Sequence, residues 1–464
     1  MADFPISDSS GNQISLSATD VASLRSQLSG DVLLVGTTEY DMARTVWNAM
    51  VDQRPGLIVR CSNTTDVVAA VEFARAHDLL VAVKSGGHNI AGRSVTTDSF
   101  TIDLSQMKGI EIDEKQRTAK CQSGLKLGEL DAGTQAFGLA TVQGIATDTG
   151  MAGVALGGGY GWLAGKYGMT CDNLVSAELV LADGKIATAS TQENEDLFWG
   201  IRGGGGNFGI VTSFEFRLHP VTTVWGGMII HARSETRNFL RFFRDYAAGA
   251  PDELTMVAAL LHTPDGIPAV AAAVCCCGPM NQAKEILRPL KEFGSPLADS
   301  IAPVPYVEQQ ALLDGAWPPG DRYYWKTSLV SILSDAAIEV LIEQASKAPN
   351  PLSVIALQQL HGAATRVSST ETAFAHRYDH YNFIPMARWK DPSDADRNIE
   401  WVRNLWKAMQ PHCDEAVYGN DLGDEGDDRL RAAFGLNFDR LVGLKNRYDP
   451  NNLFRLNQNI KPTV

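Results

Sequence analysis

The sequence predicts an α+β protein. Three observations carry that prediction: a strand–helix–strand run over residues 57–104, an alternating stretch from Ile110 to Gly124, and a change of character after Pro220, where strand-like pieces and helices mix. Residues 1–50 read as a polar lead-in with short helical pieces. LIVRC (57–61) is a short apolar strand, and Ser62 to Thr65 offer N-cap candidates for DVVAAVEFARAHD, whose apolar residues recur at helical spacing. Leu79–Val83 is the next strand, followed by a Ser85-Gly86-Gly87-His88 turn and the strand SFTIDL. The alternation in IEIDEKQRTAKCQSG predicts antiparallel strands, and the helix LGELDAGTQAFG stops at Gly138, where glycine tolerates the left-handed turn that ends a helix.

AELVLADGKI and IVTSFEFRL are two further strands. Beyond Pro220, GGMIIHA, TMVAALLH, AVAAAVCCC and YYWKTSLV read as strands, and NQAKEILRPLKEFG and SDAAIEVLIEQASKA as helices. From Ala416 the chain returns to loop and helix and ends in YDPNNLFRLNQNI. The expected division is therefore 1–220, 221–414 and 415–464.

The chain has 464 residues, 44% hydrophobic and 20% charged, which fits a packed globular protein and excludes extensive disorder. A net charge of −14 argues against a dedicated nucleic-acid binder, because phosphate neutralisation needs a basic surface. It leaves room for a nucleotide cofactor, whose phosphates backbone N–H groups can hold. The seven cysteines show no CxxC, and Cys275 to Cys277 lie in an apolar run, so inert buried thiols are expected. MADFPISDSS carries no basic segment followed by an apolar core, and the longest apolar stretch, Ile267–Met280, holds Pro268 and is too short to span a bilayer. A cytoplasmic protein with neither membrane nor nucleic-acid partner is expected; nothing speaks to its oligomeric state.

The 42 glycines are not spread evenly, and three clusters stand out, over 85–92, 144–161 and 203–209. Gly204-x-Gly206-x-x-Gly209 formally matches a dinucleotide fingerprint, but a strand rather than a helix follows it, which removes half of that motif. Glycine costs folding entropy, and two readings account for its use: ordinary turns, or close backbone approach to one extended ligand the size of FAD. The acidic run from Asp421 fails as an EF-hand, since Gly423 and Ala432 fall at ligand positions, and reads as a solvated loop. No zinc spacing and no Gly-x-Ser-x-Gly elbow is present, so no metal is expected.

Four ordered motifs, KSGGHNIAGRS, GMAGVALGGGYGWLAGKYGMTCDNL, LFWGIRGGGGNFGIVTSFEFRLHP and YDPNNLFRLNQNI, closely resemble the berberine-bridge-enzyme-like FAD-linked oxidases of the vanillyl-alcohol-oxidase superfamily. The resemblance implies a PCMH-type FAD-binding domain of two α+β subdomains completed by the C-terminal segment, with an inserted substrate domain of antiparallel sheet covered by helices. It implies a flavin-dependent oxidase that takes a hydride from a substrate C–H next to OH or NH, with O2 reoxidising the flavin to give H2O2. A dehydrogenase using another acceptor and a non-catalytic flavin binder are the alternatives. Relatives act on small molecules as diverse as sugars, alcohols, cyclic amines and phenolics.

Residue by residue, the resemblance places the flavin on His88 through an 8α-histidyl bond, with Lys84, Ser85, Gly86, Gly87 and Asn89 around the pyrophosphate. It assigns Gly144, Thr149, Gly150, Gly153, Gly157, Gly158 and Gly159 to the cofactor, together with Asn207, Gly209, Ile210, Val211, Asn457 and Asn459. Where many relatives carry a second covalent link through a cysteine, this chain has Gly144-Ile145-Ala146, so a monocovalent FAD is expected, with Cys171 a packed thiol. Tyr160 matches a tyrosine that faces substrate beside the flavin, and Tyr418, in Tyr418-Gly419-Asn420, matches one that serves as base. That role needs its pKa pulled below about 10 by a cation or by hydrogen bonds to the phenolate. Thr149 falls where valine admits oxygen and leucine blocks it in relatives; threonine is close to valine in size, which favours an oxidase. Some relatives carry Glu or Gln in the last sheet strand; in Tyr381-Asn382-Phe383-Ile384-Pro385-Met386 no acid or amide is expected at that place. Tyr381, Trp325 and Tyr324 are candidates for the pocket wall.

Overall fold

The computed structural model describes residues 4–464. Its first layer is a four-stranded sheet in the order Asp31–Leu34, Leu57–Arg60, Phe100–Asp103, Val81–Lys84, the last three strands parallel. Parallel neighbours need a crossover, and the helix Thr64–Ala76 supplies one. Asn63 caps it by accepting the Asp66 N–H, and Val67, Ala70, Val71 and Ala74 form its buried stripe. Asp66 is itself buried, its carboxylate accepting the N–H groups of Ser29, Gly30 and Ser62. Residues before Leu57 hold more strand than the sequence suggested: a hairpin of Phe4–Ser7 with Gln13–Leu16, and the strand Asp31–Leu34. Four-residue strands show almost no period, so only their pairing reveals them.

The second layer is a five-stranded antiparallel sheet, Ile186–Ser190, Leu174–Leu181, Gly209–Arg217, Thr118–Gln122, Ile110–Asp113. Gly209–Arg217 follows the third glycine cluster directly as a strand. Leu127 and Leu130 from Leu127–Gln135, Leu197 and Ile201 from Glu195–Ile201, and Leu441 and Leu444 from Phe438–Tyr448 join its core.

The third layer is a nine-stranded sheet between Thr223 and Trp389. Its central strands are Thr223–Ala232, Pro268–Cys276, Leu254–His262, Val354–Leu360 and His380–Trp389. One face packs on the helices Thr236–Ala248, Met280–Lys291, Asp335–Ala345 and Ala395–Met409, in a core that includes Met256, Ala258, Val270, Ala272, Leu357 and Phe383. Successive side chains in a strand point to opposite faces. The residues one position away, Val257, Ala259, Ala271, Ala273 and Ala356, therefore face the other way, towards a cavity.

The tail closes the structure. Phe454 packs in the core of the first sheet and Ile460 in that of the second. Lys445, fully buried, donates to the carbonyls of Asn207 and Phe454 and to Asp449, which is equally buried. No helix is long and apolar enough to cross a membrane among the described residues.

Candidate active site

A cavity of about 520 Å³ lies where the three sheets meet. One wall is backbone-rich. Ser85, Gly86, Gly87, His88 and Asn89 enter it at the C-terminal end of the strand Val81–Lys84. Gly87 has φ +66, and a Cβ on Gly86 would collide with the backbone of Gly150, so the first two glycine clusters touch here. The N–H groups of residues 86 to 89 donate to no acceptor among the described residues. Adjacent free N–H groups in a turn form a concavity suited to an anion. Gly144, Thr149, Gly150 and Gly153 continue the wall, followed by Gly209, Ile210, Val211 and Asn457.

His88 is held from two sides. Its ring stacks on Trp47, with centroids 4.3 Å apart and planes 21° from parallel. Its Nε2 lies 3.2 Å from Asp148 Oδ1, while Nδ1 has no hydrogen-bond partner among the described residues. Burial alone would raise Asp148, but the hydrogen bond and charge of His88 bring its carboxyl below the ordinary value. A carboxylate on one ring nitrogen fixes the tautomer and leaves the lone pair on the other.

The opposite side of the cavity is the free face of the large sheet, built from Met228, Val257, Ala273, Val354, Ile384 and Met386. Alanines at 259, 271, 273 and 356 leave room there, and Gln358 adds an amide. Between the walls sits a polar cluster. Tyr418 Oη accepts the Gly159 N–H at 3.0 Å and Asn420 Nδ2 at 2.8 Å. The glycines make this possible: Gly158 and Gly159 have φ +117 and +74, and a Cβ on Gly159 would strike Val154 and Thr170. Tyr160 stands 4.9 Å from Tyr418, ring to ring. Asp421 accepts a 2.6 Å hydrogen bond from Asn382 Nδ2, whose Oδ1 accepts the Thr327 hydroxyl at 2.5 Å. Burial pushes Asp421 up to about 6 against the pull of that hydrogen bond. Burial and then the Asp421 charge push both tyrosines well above a free phenol, only partly offset at Tyr418 by its two hydrogen bonds.

Not every residue expected at the site reaches the cavity wall. Lys84 lies beneath the turn, donating to the Ala43 carbonyl. Gly157 makes room for the Asn420 side chain, and Gly159, beside Gly158 in the same left-handed turn, presents the N–H that holds Tyr418, so these three glycines act through the tyrosine. Asn207 clasps the tail, donating to Gly204 and Gln458 carbonyls and accepting the Ile460 N–H. Asn459 lies behind the wall that Leu456, Asn457 and Gln458 form. Ala146 lines the cavity, whereas Cys171 is packed beside Arg377 and Asp172, its thiol pushed up to about 12 by burial.

Four features of the substrate side differ from expectation. Tyr381 faces the helices, against Phe243, because strand alternation turns Asn382, Ile384 and Met386 to the cavity side instead. Asn382 is thus an amide beside the site where none was expected, although counting alternate positions back from Ile384 finds it. Tyr324 likewise faces away, towards Arg403, while Trp325 lines the cavity. The acidic run is solvated at Asp424, Asp427 and Asp428, yet Asp421 turns inward. Trp47 and Asp148 are further residues of the site that no motif marked, and Arg93, inside the KSGGHNIAGRS motif but given no role there, also lines the cavity.

Comparison with known proteins identifies the fold and its cofactor. A family model described as FAD binding domain matches residues 55–190, and one described as berberine and berberine like matches residues 414–461. An FAD-linked oxidoreductase of Dictyostelium discoideum is 33% identical over 440 residues, covering 94% of this chain and 95% of that protein. The chain belongs to the berberine-bridge-enzyme-like FAD-linked oxidoreductases. Its fold is the PCMH-type FAD-binding fold of that family. The solved 6-hydroxy-D-nicotine oxidase from Arthrobacter nicotinovorans matches with a TM-score of 0.86 at 27% identity, covering 94% of this chain and 98% of that one. A chitooligosaccharide oxidase matches with a TM-score of 0.84 at 26% identity, covering 96% and 100%. Within this berberine-bridge-enzyme-like chain the residues present suit FAD. The turn offers free N–H groups, and two buried polar atoms on the cavity wall, Ser94 Oγ and Asn457 Oδ1, have no partner among the described residues.

Proposed function

We propose that this FAD-linked oxidoreductase is an oxidase that removes a hydride from a substrate C–H next to OH or NH, with FAD attached only to His88. The observation that carries the reading is the Tyr418 hydroxyl, which accepts two hydrogen bonds inside the cavity. Both donors favour the phenolate, the form that can take a proton, but burial and the Asp421 charge outweigh them, so the pKa lies above that of a free phenol and not below it as the base role was expected to need. Bound FAD supplies the two-electron acceptor. Tyr418 Oη receives the OH or NH proton as the hydride departs, and the apolar sheet face positions the reacting carbon and excludes water. Tyr160 borders the same space. His88, oriented by Asp148 and Trp47, would hold the flavin through its other ring nitrogen, and Ala146 would offer no second attachment point. Thr149 lies on the cavity wall, and its size, close to that of valine, supports O2 as the acceptor. Residues 1–220 and 415–464 form the flavin part, and 221–414 the substrate part. The names of relatives, (R)-6-hydroxynicotine oxidase of Paenarthrobacter nicotinovorans and chitooligosaccharide oxidase of Gibberella zeae, support oxidase chemistry on small molecules.

The experiment is a panel of alcohols, sugars and amines mixed with the holoenzyme, first without oxygen and then in air. Substrate is expected to bleach the flavin anaerobically, and air to restore it with one H2O2 per turnover. Bleaching without reoxidation by air indicates a dehydrogenase; no bleaching by any class makes it a flavin carrier.

A further inference from the structure

Asp421 is a carboxylate in a place that lacks a counter-charge. It lines the cavity, and the partner of its carboxylate is a neutral amide, Asn382, itself buried and fixed by Thr327. No basic side chain contributes to its ionisation. The groups that face it are Tyr418 from its own segment, Tyr160 from the second glycine cluster and Asn382 from the large sheet. The indole of Trp325 donates to its backbone carbonyl, which fixes the main chain and leaves the carboxylate charge untouched. Around this one charge the substrate wall is hydrocarbon, with the Gln358 amide as its polar exception. Asp421 is half-buried, and a charge paired only with a neutral amide becomes costly once a ligand excludes water from the cavity, unless that ligand brings the opposite charge.

Taking up the flavin-oxidase reading above, we propose that the substrate is a small amine with a mainly hydrocarbon body, whose ammonium group docks on Asp421. A sugar or simple alcohol leaves the carboxylate uncompensated and sets its many hydroxyls against alanine and valine. An amine satisfies both walls at once. It also supplies what Tyr418 lacks, a cation beside a phenol that burial and Asp421 otherwise hold in its neutral form. The chemistry balances. With Tyr418 as the phenolate that the docked cation favours, the ammonium N–H proton passes to Tyr418 Oη, the adjacent C–H bond breaks with its electron pair leaving as hydride to FAD, and the freed nitrogen lone pair closes the C=N bond. The amine loses two electrons and the FAD gains two.

The test uses benzyltrimethylammonium, a quaternary cation with no N–H to lose, titrated into the holoenzyme by calorimetry and by the flavin absorption band. Binding is expected at pH 8, with affinity falling as pH drops through about 6, because protonation of Asp421 removes the docking charge while the quaternary ion keeps its own. D421N is expected to weaken binding at least about tenfold with flavin content and unfolding temperature unchanged. If D421N unfolds or loses flavin, the pH dependence of the unaltered protein decides alone. A holoenzyme that is bleached by neutral alcohols or sugars but binds the cation no better than D421N overturns the amine assignment and leaves the oxidase reading standing. Protein purified without FAD, or flavin that no substrate bleaches, defeats the oxidase reading itself.

Discussion

Replacing Tyr418 with phenylalanine is expected to slow flavin reduction by a factor of about 10²–10⁴, the usual contribution of a positioned proton acceptor. The ring keeps its packing beside Tyr160 and Phe374, so the fold and flavin content should hold. What disappears is the oxygen that accepts from Gly159 and Asn420. The pH profile gives a second signature. Tyr418 acts as a base only when deprotonated, and burial with the Asp421 charge raises its pKa. With a neutral substrate, the reduction rate of the unaltered enzyme should therefore climb from neutral into alkaline pH without an early plateau, and Y418F should lose the climb. Rapid mixing under anaerobic conditions across pH measures both. A Y418F rate within threefold of the parent, or one that retains the climb, removes Tyr418 from the proton step.

The second large effect concerns the tail. Lys445→Ala is expected to destabilise the protein by about 3–5 kcal/mol, because deleting one partner of a buried ion pair strands the other. Lys445 and Asp449 are both fully buried. The ammonium also satisfies the carbonyls of Asn207 and Phe454, and Asp449 accepts the N–H groups of Leu453 and Phe454. This knot sets the path of the segment that brings Leu456, Asn457 and Gln458 to the cavity. Thermal and urea unfolding should both show the loss, and the tail should become sensitive to protease near Asn451. A change below about 1 kcal/mol would mean that the helix Phe438–Tyr448 holds the tail without the pair.

The flavin side was legible because its information is local. A glycine at φ +66 in Ser85-Gly86-Gly87-His88, and two more before Tyr160, are forced by backbone geometry, and such motifs keep their spacing. The strand–helix–strand unit showed for the same reason: its cap, its apolar stripe and its turn are continuous in sequence. The substrate side is assembled from alternate residues of strands far apart in the chain. Asn382 becomes visible only by choosing the right parity, and Asp421 only when the end of an acidic loop is seen to fold inward beneath Trp325. The stacking of Trp47 on His88 had no local signal at all, since it joins a loop after the helix Thr38–Arg44 to the turn after Lys84. The hairpin and edge strand before Leu57 were hidden by their length.

His88, steadied by Asp148 and Trp47, is proposed to carry the flavin in a single covalent bond. Tryptic digestion of acid-precipitated protein tests it directly, because cleavage after Lys84 and Arg93 releases residues 85–93 as one peptide with His88 as its sole imidazole. The account predicts a yellow peptide heavier than SGGHNIAGR by the mass of one FAD less two hydrogens, with fragmentation placing the added mass on His88 and no other peptide modified. All of the colour in the acid supernatant, with an unmodified 85–93 peptide, would contradict it.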